Sequence, residues 1–356
     1  MTPQSPSQPS PQRPTPVRVA LIGAGRIGSS HAELIARHVP GAELVAVADP
    51  TPAADALAER LGVDCEHSAQ VVLARPDVDA VLITTPARTH TDLVVEAAAA
   101  GKHVFVEKPM AVTLADADRA IAAATDARIV LQVGFNRRFA PGFVAAREAI
   151  DAGRIGTPHL LRSLTRDPGP FTADPARIPQ WTIFLETLIH DFDTLCYLNP
   201  GAAPVTVTAH ADALVRPDAK SSGHLDTAVV TIVFDNGAMA TAEASFSAMY
   251  GYDVRGEVFG SGGMVTAGDI RRTDMTCYSA DGIAVDTARR DTDLLRSAYL
   301  AELTAFTDAV RNGESSLVGG NDARTALSIA LAAIRSVETG STVTVSAIEN
   351  STGVAA

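Results

Sequence analysis

Cysteine is scarce in this chain of 356 residues: Cys65, Cys196 and Cys277 stand far apart, and no CxxC pair is present. That spacing fits neither a disulfide framework nor a zinc site built on cysteines. Unpaired thiols are typical of a reducing compartment. We therefore expect a cytoplasmic protein without disulfides and without a bound metal.

Basic charge and long apolar runs are lacking as well. The formal net charge is −12, and no stripe of lysine or arginine offers a surface for nucleic acid or for a membrane. No segment approaches the roughly 18 consecutive apolar residues that span a bilayer. Residues 1–16 are rich in proline, serine and glutamine and lack the apolar stretch of a signal peptide, so they predict a disordered tail. Residues 346–356 are expected to form a second, flexible tail.

The first half of the chain alternates short apolar runs with helical patterns. The apolar runs predict strands at 17–22, 43–48, 79–84, 103–106 and 129–133. Helices are predicted between them, near 27–38, 52–61, 89–100 and 113–126. Strands that are apolar on both faces indicate a parallel sheet covered by helices. The pattern predicts an α/β fold with a Rossmann domain over residues 17–137.

The pattern changes after this domain. Helices are predicted at 139–152, 182–198, 296–312 and 321–339, a strand at 157–164, and strand after strand through 204–279. Turn signals at Asp235-Asn236-Gly237 and at 260–263 separate successive strands, as in an antiparallel sheet. We predict an α+β domain with an open antiparallel sheet over residues 138–345. Its apolar face suggests a subunit interface.

A glycine-rich motif, Gly23-Ala24-Gly25-Arg26-Ile27-Gly28, directly follows the first strand and opens a helix. In a dinucleotide site the first glycine permits the tight turn, the second lets a pyrophosphate approach, and the third allows close packing of helix and strand. The free N–H groups of the helix start then face the phosphates. A glycine-rich turn without a ligand is the alternative interpretation.

Further polar residues follow the next strands, at the sheet edge where ligands of open α/β sheets bind. Asp49 ends the second strand, where a carboxylate can bind both adenosine ribose hydroxyls and repel a 2′-phosphate, which favours NAD over NADP. The alternative interpretation of Asp49 is a cap at the end of the strand. For His90, which begins the next helix, the alternative to a cofactor contact is a contact with solvent. The predicted cofactor contacts are Gly23, Gly25, Arg26, Ile27, Gly28, Asp49, Thr84, Thr85, Pro86, His90, Glu107 and Lys108.

The candidate catalytic residues lie in two segments. Glu107-Lys108-Pro109 follows a strand, which places Lys108 beside the nicotinamide half of a dinucleotide, although such a tripeptide is also a common surface turn. Glu186, His190 and Asp193 are spaced to share one face of a helix with apolar neighbours. A histidine there can act as a general base. The alternative is a core histidine that is satisfied by neighbouring acids.

Together these motifs resemble the Gfo/Idh/MocA oxidoreductase family over residues 17–340. Within it the chain is most similar to the inositol 2-dehydrogenases, on the segments 132–139, 166–168, 186–193 and 250–253. The resemblance implies NAD, a second domain with an antiparallel sheet, usually a homotetramer, and a Lys–Asp–His catalytic group. That group maps onto Lys108, Glu186 and His190.

Two residues depart from the inositol enzymes: Glu186 stands where they carry Asp, and Asp167 where Asn is expected. The predicted substrate contacts are Lys108, Arg138, Asp167, Glu186, His190, Asp193 and Tyr252. A surface ion pair for Arg138 and core packing for Tyr252 are the alternatives. We expect an NAD-dependent dehydrogenase that oxidises a secondary hydroxyl of a cyclitol such as myo-inositol to a ketone. A sugar or anhydrosugar dehydrogenase (glucose, xylose, levoglucosan), a redox-neutral NAD-dependent glycosidase and a non-catalytic regulator remain open.

Overall fold

The computed structural model describes residues 15–169 and 178–349. The predicted tail at 1–16 lies almost entirely outside the described residues. Residues 350–356 also lie outside them. Residues Val345–Glu349 form a short helix whose Ile348 is buried, so the predicted flexible tail at 346–356 begins too early. An apolar residue against the core keeps this segment helical.

The first sheet has six parallel strands in the order β3-β2-β1-β4-β5-β6. This confirms the predicted Rossmann sheet. The short third strand was not predicted, because three residues show no clear periodicity. The strands are β1 Val17–Ile22, β2 Ala42–Ala48, β3 Asp64–Glu66, β4 Ala80–Ile83, β5 His103–Val106 and β6 Leu131–Val133.

Helices cover both faces of this sheet, because its strands are apolar on both sides. Alternate residues of β1 enter two separate cores: Ala20 and Ile22 pack on one face, Val19 and Leu21 on the other. The helices are α1 Arg26–Arg37, α2 Ala53–Leu61, α3 Ala69–Leu73, α4 His90–Ala99 and α5 Leu114–Ala127.

The second sheet has seven strands in the order β12-β11-β7-β10-β9-β8-β15. Its pairs are antiparallel except for β7 with β10, which run parallel because β7 is inserted between two strands that come later in the chain. The strands are β7 Pro158–Arg166, β8 Pro204–Asp212, β9 Thr227–Phe234, β10 Met239–Ser245, β11 Asp253–Gly260, β12 Gly263–Ala267 and β15 Val343–Thr344. A separate hairpin pairs β13 Arg271–Ser279 with β14 Gly282–Thr287.

The remaining helices follow the first sheet in the chain. They are α6 Pro141–Asp151, α7 Ile189–Tyr197, α8 Asp291–Leu294, α9 Arg296–Asn312, α10 Gly320–Thr339 and α11 Val345–Glu349. Helix α9 returns to the first sheet: its Tyr299, Leu303 and Phe306 belong to the same buried cluster as β1 and α1. The parallel sheet therefore takes one covering helix from the far end of the chain.

The segment predicted as one helix over 182–198 begins instead as a π-helix, Ile183–Leu188, and continues as α7. A π-helix is wound more widely than an α-helix, with bonds from residue i to i+5. Positions four apart are therefore displaced around the axis. Within the described part of the chain, no helix is both long and apolar enough to cross a membrane.

Candidate functional site

A cavity of about 430 Å³ opens at the carboxyl ends of the parallel strands, between the two sheets. This volume suits a small-molecule ligand. Of the residues that the sequence nominated, those lining the cavity are Arg26, Ile27, Thr84, Thr85, Pro86, His90, Glu107, Lys108, Asp167, Glu186, His190 and Tyr252. The structure thus brings most of the proposed site residues together.

The glycine-rich turn has the shape that a dinucleotide site requires. Gly23 has a φ of +105°, and a Cβ on Gly28 would lie 2.0 Å from the Gly23 carbonyl oxygen, so neither position admits a side chain. A Cβ on Gly25, by contrast, would meet no protein atom within 4 Å. Helix α1 begins next to it with no side chain capping its first N–H groups. The turn leaves open space beside free amide donors, as a bound pyrophosphate would need.

Asp49, at the end of β2, fixes this turn. Its carboxylate accepts hydrogen bonds from the Ala24 amide at 2.8 Å and from the Thr51 amide and hydroxyl at 2.9 and 2.6 Å. Partial burial acts to raise the pKa of Asp49, but these hydrogen bonds outweigh burial and the pKa lies below its ordinary value. The residue is an anion at neutral pH at the edge where an adenosine ribose would lie.

His90 is buried rather than solvent-exposed. Its two ring nitrogens lie 2.8 Å from the Pro109 carbonyl oxygen and 2.7 Å from that of Thr85. The ring therefore joins the loop after β4 to the loop after β5. Next to it, the Thr84 hydroxyl donates to the Gly23 carbonyl at 2.7 Å. These contacts set the spacing of the loops that form one wall of the cavity.

Glu107 lies in the cavity wall and faces inward to a buried cluster. Its Oε1 is 2.7 Å from His31 Nε2, and its Oε2 accepts the Lys108 amide at 3.2 Å. Burial opposes ionisation, but His31 and Lys108 lower the pKa of Glu107. Glu302 lies within the same cluster, and neither of its carboxyl oxygens has a hydrogen-bond partner. Burial and the nearby Glu107 raise the pKa of Glu302 well above its ordinary value.

Lys108 and His190 both line the cavity. The Lys108 ammonium donates to the Glu186 carbonyl oxygen at 3.0 Å and to the Glu186 carboxylate at 3.3 Å. His190 has a buried Nδ1 without a hydrogen-bond partner. Burial, together with the positive charges of Lys108 and Arg137, holds the pKa of His190 well below its ordinary value. The imidazole is neutral at physiological pH and can accept a proton.

Asp167 and Tyr252 complete the predicted part of the wall. Asp167 Oδ1 accepts the Gly169 amide at 3.0 Å, and burial and the nearby Asp291 raise the pKa of Asp167. Burial likewise raises the pKa of Tyr252, whose phenol is therefore a hydrogen-bond donor at neutral pH. Both are groups that can bind substrate hydroxyls.

Arg138 and Asp193, also nominated for the substrate, lie apart from the cavity wall. The Arg138 guanidinium donates to Asp193 at 2.6–3.1 Å and to Asp322 at 2.9 Å. The Asp193 side chain is 1% exposed. Both residues lie in α7, and residues three apart on an α-helix differ by roughly 60° around its axis. This offset leaves Asp193 in the core while His190 lines the cavity. The pair forms a buried connection between α7 and α10.

Several lining residues had no sequence signal. Asp291 and Tyr299 reach the cavity from α8 and α9, and the Tyr299 hydroxyl donates to Asp291 at 3.2 Å. Arg26 of the glycine-rich motif pairs with Asp291 at 2.8 Å, across the mouth of the cavity. Asp291 and Tyr299 reach the cavity because α9 returns to the first sheet, and the sequence gives no local signal for that return. The other unpredicted lining residues are Ala87, Thr165, Ile178, Thr182, Thr187 and Phe246.

The site has a dinucleotide cradle at one end and a Lys–His pair at the other, joined by one cavity at the sheet edge. This arrangement defines an NAD-binding oxidoreductase of two domains. Residues 17–135 match a family described as "Oxidoreductase family, NAD-binding Rossmann fold", and residues 143–266 match the "GFO/IDH/MocA C-terminal domain". The chain belongs to the Gfo/Idh/MocA oxidoreductase family, which confirms the resemblance and the predicted cofactor class.

Relatives of known name support the same grouping. The chain is 38% identical over 328 residues to the scyllo-inositol 2-dehydrogenase (NAD(+)) of Bacillus subtilis, covering 91% of this chain and 95% of that protein. It is 39% identical to the myo-inositol 2-dehydrogenase of Thermotoga maritima, covering 90% and 96%. The crystal structure of scyllo-inositol dehydrogenase from Lactobacillus casei with bound NAD(H) and scyllo-inositol has a TM-score of 0.89 at 27% identity, covering 93% and 100%. These likenesses confirm the predicted fold.

Proposed function

We propose that this protein is an NAD-dependent dehydrogenase that oxidises a secondary hydroxyl of an inositol to a ketone. The observation that carries the proposal is the meeting of a neutral His190 and the Lys108 ammonium in the cavity that begins at the glycine-rich turn. The named relatives act on scyllo- and myo-inositol, which supports a cyclitol as substrate.

The first sheet holds the residues for the cofactor. The amides of the glycine-rich turn and the start of α1 would bind the pyrophosphate, and Asp49 the adenosine ribose. Thr84, Thr85, Pro86 and Glu107 line the continuing edge. When bound, NAD supplies the acceptor for the hydride that leaves the substrate carbon.

His190 acts as the general base. Because its pKa is depressed, the ring is already unprotonated at neutral pH and can take the proton of the reacting hydroxyl. The variant His190→Ala should lower kcat by about 10²–10⁴-fold while leaving NAD affinity nearly unchanged. Unchanged turnover in this variant, measured by NADH absorbance, would remove His190 from the mechanism.

Lys108 stabilises the charge that develops on the substrate oxygen. Its ammonium gives two hydrogen bonds to Glu186 and keeps a further N–H for that oxygen. Glu186 holds the ammonium in place from the opposite wall. Asp167 and Tyr252 are positioned to bind the remaining hydroxyls of the ring and so to distinguish one isomer from another.

A substrate panel tests the proposal. Purified protein is mixed with NAD and, in turn, with myo-, scyllo- and chiro-inositol, glucose, xylose and levoglucosan, and then with NADP in place of NAD. We expect NADH formation with an inositol and NAD. A response to a sugar alone would move the substrate to the sugar dehydrogenases. Release of a sugar from a glycoside without net NADH would favour the redox-neutral glycosidase.

We further propose that the protein is a cytoplasmic homo-oligomer, a dimer or tetramer. Apolar side chains at paired positions cross the outer face of the second sheet, in the order Val233, Met239, Leu160, Phe259 and Met264. Each is at least 36% exposed. A contiguous apolar stripe of this kind suits burial against a second copy. The variant Phe259→Glu should shift the mass measured by light scattering toward the monomer.

The free thiols of the three cysteines support a cytoplasmic location.

A further inference from the structure

A second cluster of ligand-type side chains lies outside the catalytic cavity, at the β3 edge of the parallel sheet. Asp55 comes from the first turn of α2, Cys65 from the middle of β3, and His67 from just beyond that strand. One ligand atom from each lies within 4.8 Å of the others. The spacing of the cysteines in the sequence did not indicate a metal site. The fold brings a carboxylate, Asp55, and an imidazole, His67, next to Cys65.

The hydrogen bonds of His67 leave a lone pair aimed at a negative charge. Its Nδ1 lies 3.2 Å from the main-chain carbonyl oxygen of Asp49. A carbonyl oxygen only accepts, so Nδ1 carries the proton of the neutral ring and Nε2 carries the lone pair. That Nε2 lies 3.5 Å from Asp55 Oδ1. Two acceptors therefore face each other, and a cation between them would satisfy both.

Two distances within the cluster, both to Asp55 Oδ1, suit a tetrahedral ion. Cys65 Sγ lies 3.4 Å from the same Oδ1 of Asp55. With zinc bond lengths of about 2.0–2.3 Å, tetrahedral ligand atoms are separated by about 3.3–3.5 Å. The separations of 3.4 and 3.5 Å match this range before any movement of the side chains.

We propose that Asp55, Cys65 and His67 bind a divalent cation of the zinc type, with water completing the tetrahedron. The contact from His67 Nδ1 to a main-chain carbonyl is the usual outer support of a metal-binding histidine. His67 and Asp55 have side chains 61% and 58% exposed, which leaves an entry path. On binding, the Cys65 thiol, which donates to Asp55, releases its proton to solvent and forms a thiolate–metal bond.

Cobalt(II) provides the test, since a thiolate bound to cobalt gives a charge-transfer absorption band in the near ultraviolet. The full-length protein, free of any purification tag and kept reduced, is titrated with cobalt(II). Zinc affinity is then measured by competition with a coloured chelator. We expect one equivalent of metal and a thiolate band. Asp55→Asn and His67→Gln should weaken zinc binding by about tenfold or more.

Matched variants of exposed residues separate this site from general surface binding. Cys65→Ser should abolish the thiolate band, whereas Cys277→Ser and His38→Gln, which change an exposed thiol and an exposed imidazole elsewhere, should leave band and affinity unchanged. Absence of the band in the unaltered protein, or its persistence in Cys65→Ser, would overturn the proposal. Absence of the band would mean that His67 and Asp55 are linked by a shared proton and not by a metal ion.

Discussion

Two cation–carboxylate pairs flank the same helical segment, and they differ in almost every physical respect. In the cavity, Lys108 meets Glu186 at 3.3 Å, with side chains 17% and 46% exposed. In the core, Arg138 meets Asp193 at 2.6 Å, with side chains 10% and 1% exposed, and also binds Asp322. The first pair is long and open to solvent, and the second is short, bidentate and enclosed.

The difference shows that similar ion pairs can serve two purposes: one lies in the cavity beside a ligand site, and the other holds helices together. Lys108 keeps a donor and space beside it, which a group that must bind a changing substrate oxygen requires. Arg138 binds two carboxylates away from the cavity wall, so it fastens α7 to α10. Residue type alone did not separate these roles. Burial and the choice of partners do.

Among changes to these two pairs, removing the charge in the cavity should have the largest effect on activity. The variant Lys108→Met should lower kcat/KM by about 10²–10³-fold, because it removes a donor to the developing oxyanion. It should also raise the pKa of His190, since the Lys108 charge contributes to the depression that burial begins. The acid limb of the rate profile would then move to higher pH. A melting temperature close to that of the unaltered protein is the control.

Breaking the core pair should act on stability instead. The variant Asp193→Asn leaves Arg138 buried with only Asp322 as a charged partner, so unfolding should become easier by about 3 kcal/mol. Urea unfolding measures the change. The rate per folded molecule should stay within about threefold, and a larger loss would return Arg138 and Asp193 to the substrate site. Asp151→Asn breaks an exposed pair with Arg147 and should cost under about 0.5 kcal/mol.

Glu302 is a buried carboxyl with no hydrogen-bonded cation at all, and it extends the comparison. Its raised pKa means that the folded state holds a proton that the unfolded state releases. Stability from this group is present at low pH and is lost as pH rises above the ordinary glutamate value. Glu302→Gln should therefore stabilise the fold by about 1 kcal/mol at neutral pH, with a gain that grows as the pH rises from the ordinary glutamate range through neutrality.

Urea unfolding of both proteins across this pH range measures that gain. A gain that does not vary with pH would show that the carboxyl is ionised in the folded state. Gln132 donates to the main-chain oxygen of residue 302 in either case, so the backbone anchor of α9 is the same in the variant.

The parallel sheet and the edge that forms the cavity were predictable because each signal is local. Short apolar runs reveal the strands, and Gly23, Asp49 and Lys108 each stand just past a strand, where the fold must bring them to one edge. Two features were not predictable. The π-helical turn changes how Glu186 and His190 lie relative to each other around the helix axis, and the burial of Asp193 involves a contact with the distant Arg138. Asp291 arrives through a tertiary contact of distant segments, for which no local pattern exists.

The smallest expected effect concerns Glu186, at a position where the resemblance noted from the sequence leads us to expect Asp. The carboxylate binds Lys108 from an exposed position, and the main-chain oxygen of the same residue binds it as well. The variant Glu186→Asp shortens the side chain but keeps the charge and the main-chain contact, so kcat/KM should change by only about two- to fivefold. Glu186→Gln is the matched control, because it keeps the length and removes the charge. If Gln is tolerated better than Asp, the reach of the side chain matters more than its charge, and the open pair resembles the core pair in depending on geometry.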